Sequence, residues 1–113
     1  MKHTMHLFNF PYEMVIAGIK TIDLRIYDEK RQKVSIGDEI RFYNLDMGGQ
    51  YVDVIVKGLS IFRTWRDLYN ELNPLKCGYR AINVEFAKPE DMSYYSKEEE
   101  EKYGVVGIHF QLK

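Results

Sequence analysis

The sequence predicts a small α/β (α+β) domain: a curled, mostly antiparallel sheet of five or six strands, barrel-like, with short flanking helices. Three observations predict it. Several segments alternate apolar and polar residues with the period of two that a strand requires, as in Ile22-Asp23-Leu24-Arg25-Ile26. Two such segments flank Asp46-Met47-Gly48-Gly49, a hairpin turn signal. The helical patterns are short and fall in the wrong places for a parallel, doubly wound sheet. A chain of 113 residues fits one domain, 1–113, and can bury roughly two thirds of its unfolded surface.

The elements follow in order. Residues His3–Phe8 alternate as a first strand. Pro11 suits the first turn of a helix over Tyr12–Ala17, because its missing N–H has no partner there. Asn9 is the expected cap, Met14 and Val15 the core-facing residues, and Gly18 the left-handed stop. Thr21–Tyr27 reads as a strand with Ile22, Leu24 and Ile26 on its core face and Thr21, Asp23, Arg25 and Tyr27 on the other. Residues 28–33 are polar and read as a loop. Ile36-Gly37-Asp38 turns into a strand over Glu39–Asn44, with Ile40 and Phe42 inward. Tyr51–Phe62 is a long strand, with a bulge or bend at Gly58. Thr64 caps a helix over Trp65–Glu71, and Pro74 stops it. Cys77–Phe86 is ambiguous between loop and helix. Ser96-Lys97-Glu98-Glu99 has capping-box spacing for a helix ending at Gly104. Val105–Leu112 closes the chain as a strand, with Val106, Ile108, Phe110 and Leu112 on one face.

Composition narrows the function. The apolar share is 45% and the charged share 29%, which places the chain among globular domains and away from disorder. A formal charge of −1 argues against a strongly basic, non-specific nucleic-acid binder. Four consecutive glutamates, residues 98–101, dominate that sum, and without them the rest stands at about +3, a weak tilt toward anionic partners. The run itself reads as a solvated helix face. Cys77 is the single cysteine, so neither an intrachain disulfide nor a cysteine-based metal site is expected. An unpaired thiol suits a reducing cytoplasm. No apolar run is long enough for a membrane span, and the polar N-terminus does not resemble a signal peptide.

The most informative stretch is Gly18-Ile19-Lys20-Thr21-Ile22-Asp23-Leu24-Arg25. Thr21, Asp23 and Arg25 are spaced by two and share a strand face. A carboxylate between Lys20 and Arg25 can hold both cations in place. Arg25 offers a planar fork for phosphate or a base edge, Lys20 a point charge, and Thr21 a hydroxyl. The plainer alternative is an exposed surface ion pair.

Gly18-x-Lys20-x-x-Asp23-x-Arg25, then Ile36-Gly37-Asp38-x-Ile40-x-Phe42, then the stretch 94–108 resemble the ASCH (activating signal cointegrator homology) family, within the PUA-like superfamily. The likeness covers nearly the whole chain. The family usually has Glu where this chain has Asp23. The resemblance implies a curled barrel, a cleft around the Lys20–Arg25 strand, and RNA or a nucleotide-like ligand as partner. Lys20, Thr21, Asp23 and Arg25 would line that site. Lys30, Arg31 and Lys33 would form a basic rim, joined by Arg80 beside Tyr79. No cofactor and no metal is expected. A second implication is enzymatic: some ASCH-like proteins resemble metal-independent amidohydrolases acting on N4-acetylcytidine, with a lysine, a threonine three residues later and a distant glutamate. Lys20 matches the lysine, but Asp23 occupies the threonine's place. Thr21 is the nearby hydroxyl that would serve as nucleophile, and Glu71 and Glu85 are the candidate glutamates.

Other candidates are weaker. Pairing of the first and last strands would bring His6 and His109 together, yet nothing, His3 included, has zinc-ligand spacing. Cys77 lacks a histidine partner for a reactive role. Trp65 between Arg63 and Arg66 offers a base-stacking surface or, at the head of an amphipathic helix, a core residue.

Overall fold

The computed structural model describes residues 1–73, 75–77 and 96–113. The elements run β1 (Lys2–Leu7), α1 (Asn9–Ile16), β2 (Ile22–Ile26), α2 (Glu29–Gln32), β3 (Glu39–Asn44), β4 (Tyr51–Phe62), α3 (Trp65–Glu71), α4 (Lys97–Tyr103) and β5 (Val105–Leu112). Five strands form one curled sheet in the order β1-β3-β4-β5-β2. All pairs are antiparallel except β1 with β3.

The two edge strands, β1 and β2, end up close together. In a flat sheet they would lie four strand spacings apart, about 19 Å. Here Arg25 Nη2 on β2 donates to the His6 carbonyl on β1 at 3.0 Å. One arginine side chain bridges the seam, so the sheet has rolled most of the way to a barrel.

Each face of the sheet carries its own core. Inside the curl lie Met5, Leu7, Ile40, Phe42, Val54, Val56, Val106, Ile108 and Phe110, with Tyr12 and Val15 of α1. Outside it, Ile22, Leu24, Ile26 and Val105 pack with Trp65 and Leu68 of α3, and with Cys77. Trp65 is therefore a core residue. The double cover alters the expected geometry of β2. Its apolar residues face outward under α3, while Asp23 and Arg25 pair across from Ile108 and Val106 and so share the inner face.

Several local expectations hold for simple reasons. Thr64 Oγ1 accepts from the Asp67 amide at 3.1 Å and starts α3. Ser96 and Glu99 close the capping box that starts α4. The β4–β5 register slips between Val56 and Gly58, where the bulge was expected. Others differ. The first helix starts at Asn9, with Phe8 as a cap residue that supplies no side-chain bond. Asn9 instead uses its backbone N–H on Asp46 and its side chain on Glu13 and Asn44. Met14 is only half-buried. Residues 29–32 form a helical turn because Asp28 caps it, accepting from the Arg31 amide. Leu112 is exposed near the strand end, where the inner core has run out. The first and last strands do not pair: β1 pairs β3, while β5 lies between β4 and β2. Most of the ambiguous Cys77–Phe86 stretch lies outside the described residues.

Candidate site at the barrel seam

The helix α1 ends at Ile16 with Ala17 as its C-cap, and the chain turns through Gly18 to deliver Lys20 just before β2. The amides of Thr21 and Ile22 both donate to the Lys76 carbonyl, at 2.8 and 3.0 Å. The Thr21 carbonyl accepts from the Phe110 amide at 2.9 Å. Lys20 is thereby pinned beneath residues 76–77, and it is only 5% exposed. Its Nζ donates to the Ile22 carbonyl at 2.8 Å and the Cys77 carbonyl at 2.9 Å, and lies 3.6 Å from Asp23 Oδ1. Three acceptors thus surround an ammonium with three protons.

Asp23 is 2% exposed and sits between the two cations. Its Oδ2 accepts from Arg25 Nε at 2.6 Å. Burial alone would raise its pKa, but Arg25 and then Lys20 overcome that and hold the carboxyl below its ordinary range. Burial pushes the Lys20 pKa down, and Asp23 pulls against it. Arg25 reaches further out, with 15% of its side chain exposed. From there it spans to His6.

The rim is uneven. Arg31 Nη1 lies 3.0 Å from Asp28 Oδ2, and its buried Nε has no acceptor among the described residues. Arg31 also contributes to holding down the Asp23 pKa. Lys30 is exposed; partial burial, then Arg31 and Arg25, lower its pKa, a sign that cations crowd here. Lys33 is exposed and Thr21 half-buried. The seam thus unites Lys20, Asp23 and Arg25 in direct contact, with Lys30 and Arg31 within their electrostatic reach. Arg80, Tyr79 and Glu85 lie outside the described residues. Glu71 lines a groove of about 650 Å³ between β4 and α3, together with Ser60, Phe62, Asp67, Asn70 and Leu72. None of Lys20, Asp23 or Arg25 lines that groove.

The histidines separate. His3 Nε2 lies 2.8 Å from Asp38 Oδ2. His6 stacks on Tyr43. His109 Nε2 lies 2.7 Å from Ser60 Oγ, and burial, with Lys76 nearby, holds its pKa below the ordinary value. Among the described residues no group of three His, Cys, Asp or Glu converges as metal ligands would, and no helix is long and apolar enough to cross a membrane. Burial pushes the Cys77 thiol up to about 11, so the thiolate is scarce at neutral pH. What residue 77 supplies to the site is its carbonyl. That carbonyl, and the one from His6, carry no sequence signal, because any residue provides one.

The comparisons agree with this architecture. The ASCH domain model matches residues 5–113. The chain is similar to the crystal structure of hypothetical protein PH0355, with 32% identity over the full length of both chains and a TM-score of 0.80. It is similar also to the solution NMR structure of protein PF0455 from Pyrococcus furiosus, with 29% identity, 99% of this chain and 97% of that one covered, and a TM-score of 0.72. No curated protein matches at a significant level. The family model spans nearly the whole chain and full-length neighbours share its curled sheet, so the chain belongs to the ASCH domain family.

Proposed function

We propose that this protein is an RNA-binding or nucleotide-recognising module that takes up a phosphate or base edge at the seam. The carrying observation is a charge imbalance. Among the described residues there, four cations, Lys20, Arg25, Lys30 and Arg31, meet three carboxylates, Asp23, Asp28 and Glu29. A partly buried excess of positive charge selects an anion. Family membership supports the same class of ligand. The roles divide by geometry. Lys20 is buried, gives two hydrogen bonds to carbonyls and pairs with Asp23 at 3.6 Å, so it holds Asp23 rather than reaching outward. Asp23 fixes the Nε side of Arg25. Arg25, bonded through Nε to Asp23 and through Nη2 to the His6 carbonyl, is partly exposed and would bring its planar guanidinium to the ligand. Thr21 would add a hydroxyl, and Lys30, Arg31 and Lys33 would form the rim.

Amide shifts followed during titration with mixed short single-stranded RNAs test this. Shifts clustered at Asp23 and Arg25, weakening as salt rises, are expected. Arg25→Lys keeps the charge but loses the fork, and is expected to weaken binding by about 1–3 kcal/mol. No shifts at low or moderate salt overturn the proposal.

The amidohydrolase alternative has one observation in its favour: burial lowers the Lys20 pKa, as a base lysine needs. The acceptors around Nζ oppose it, since they stabilise the ammonium. Incubating the purified protein with N4-acetylcytidine is expected to yield no cytidine. Turnover abolished by Lys20→Ala would instead assign the site to hydrolysis.

A further inference from the structure

We propose that the outer face of β1, β3 and β4 is a stacking surface for single-stranded RNA. The inference rests on the RNA reading of the seam and extends it to a second, separate set of residues.

Register places the rings. His6 pairs with Tyr43, and Tyr43 pairs with Tyr51, so three rings form one row across three strands. Their neighbours Met5, Phe42 and Val52 point the other way, into the inner core. Centroids are 5.8 Å apart for His6 and Tyr43 and 5.9 Å for Tyr43 and Tyr51. The next row is Thr4, Arg41 and Asp53. Arg41 is locked: Nε and Nη2 donate to the two Asp53 oxygens at 2.9 and 3.0 Å, and its guanidinium lies 3.9 Å from the Tyr51 ring centroid. Among the described helices, α1 packs on the inner face, and α3 packs on the outer core at the β2–β5 side. His6 is exposed, Tyr43 half-buried and Tyr51 48% exposed, and a quarter of the Arg41 side chain is accessible.

Three points select RNA as the occupant. A row of rings that already stack on one another and on a fixed guanidinium can be extended by an unstacked base, and base–aromatic stacking tolerates any sequence. The charge is complementary: Lys2, Arg41 and Lys113 lie on or beside this face against Glu39 and Asp53, and both carboxylates are already ion-paired. The surface is also continuous with the seam, because the His6 carbonyl takes the Arg25 hydrogen bond. A strand held by phosphate at Arg25 therefore crosses the β1 edge directly onto the rings.

Fluorescence anisotropy with labelled adenosine and uridine octamers, and with a ribose-phosphate oligomer lacking bases, tests the proposal. Tyr43→Ala and Tyr51→Ala are each expected to weaken octamer binding by roughly 5- to 150-fold while leaving the base-free oligomer unaffected. Adenosine should bind more tightly than uridine. Tyr51→Trp, which keeps a stacking ring, should retain affinity and so separates lost stacking from lost folding. Wild-type protein that binds octamers as tightly as Tyr43→Ala and Tyr51→Ala do overturns the stacking surface and leaves the seam standing. Wild-type protein that binds no RNA overturns both.

Discussion

Asp23→Asn is expected to destabilise the fold by about 3–5 kcal/mol, read as a lower urea midpoint at an unchanged slope. The substitution is nearly isosteric, so the loss comes from charge. It leaves Lys20 and Arg25 facing each other across a buried site with no carboxylate between them. Arg25 can swing toward water, but Lys20 is enclosed beneath residues 76–77. Most of the penalty therefore belongs to Lys20, and adding Lys20→Met should recover part of it. The pH dependence has a definite sign. The folded Asp23 pKa lies below its ordinary 3.8, so the unfolded chain takes up the proton first as pH falls. Its stabilisation is complete above the unfolded value and drains away as pH drops through the depressed folded value. Wild type and Asp23→Asn should thus differ by a constant amount at neutral pH and converge in acid. A gap that persists at the lowest pH would refute the ion-pair origin of the effect.

The same trio shows how far the sequence could be read. Spacing by two correctly put Asp23 and Arg25 on one strand face, since the period of a strand is a local property. It did not show that this face is the inside of the curl. Alternation identifies two faces, and Ile22, Leu24 and Ile26 looked like the core side because a sheet with one buried face is the simpler case. Here α3 builds a second core outside, so the polar face is enclosed as well. The position of Lys20 depends on the carbonyl of residue 77, fifty-seven positions away, which no local pattern encodes. The parallel pairing of β1 with β3 was hidden for the same reason: strand order follows from how the whole sheet closes. Local chemistry was more legible. Thr64, Ser96 with Glu99, and Gly58 act within a few residues of themselves or on one ladder, and each does what its type and spacing suggested. The ring row could have been found. Arg41 and Tyr43 on one side of the 46–49 turn, and Tyr51 and Asp53 on the other, occupy outward positions of a hairpin whose register the turn fixes.

Gly104→Ala is expected to cost about 2–4 kcal/mol, from backbone strain together with forced contact. Gly104 ends α4 with φ 73° and ψ −169°, a region essentially reserved for glycine. A methyl group there would lie 2.8 Å from the Phe62 carbonyl oxygen, with the Phe62 carbonyl carbon and Arg63 Cα just behind. These are backbone atoms at the end of β4, so no side chain can rotate away. The residue cannot shift freely either: its N–H donates to the Glu100 carbonyl at 2.9 Å, and its carbonyl accepts from the Tyr27 amide at 3.0 Å. It joins the ends of α4, β2 and β4 at one point. Gly18 provides the control. It too has positive φ, 77°, but a methyl group there meets nothing within 4 Å, so Gly18→Ala carries only the conformational cost of about 1–2 kcal/mol. Chemical denaturation of the two variants separates strain from contact. Equal losses would mean that β4 yields at Phe62. A larger loss at Gly104 would mean that it does not, and the effect should then extend to the site. Glu100 of α4 accepts from the Trp65 amide at 2.8 Å, so displacing α4 disturbs α3, the helix that covers the back of β2 and holds the Asp23–Arg25 strand against the seam.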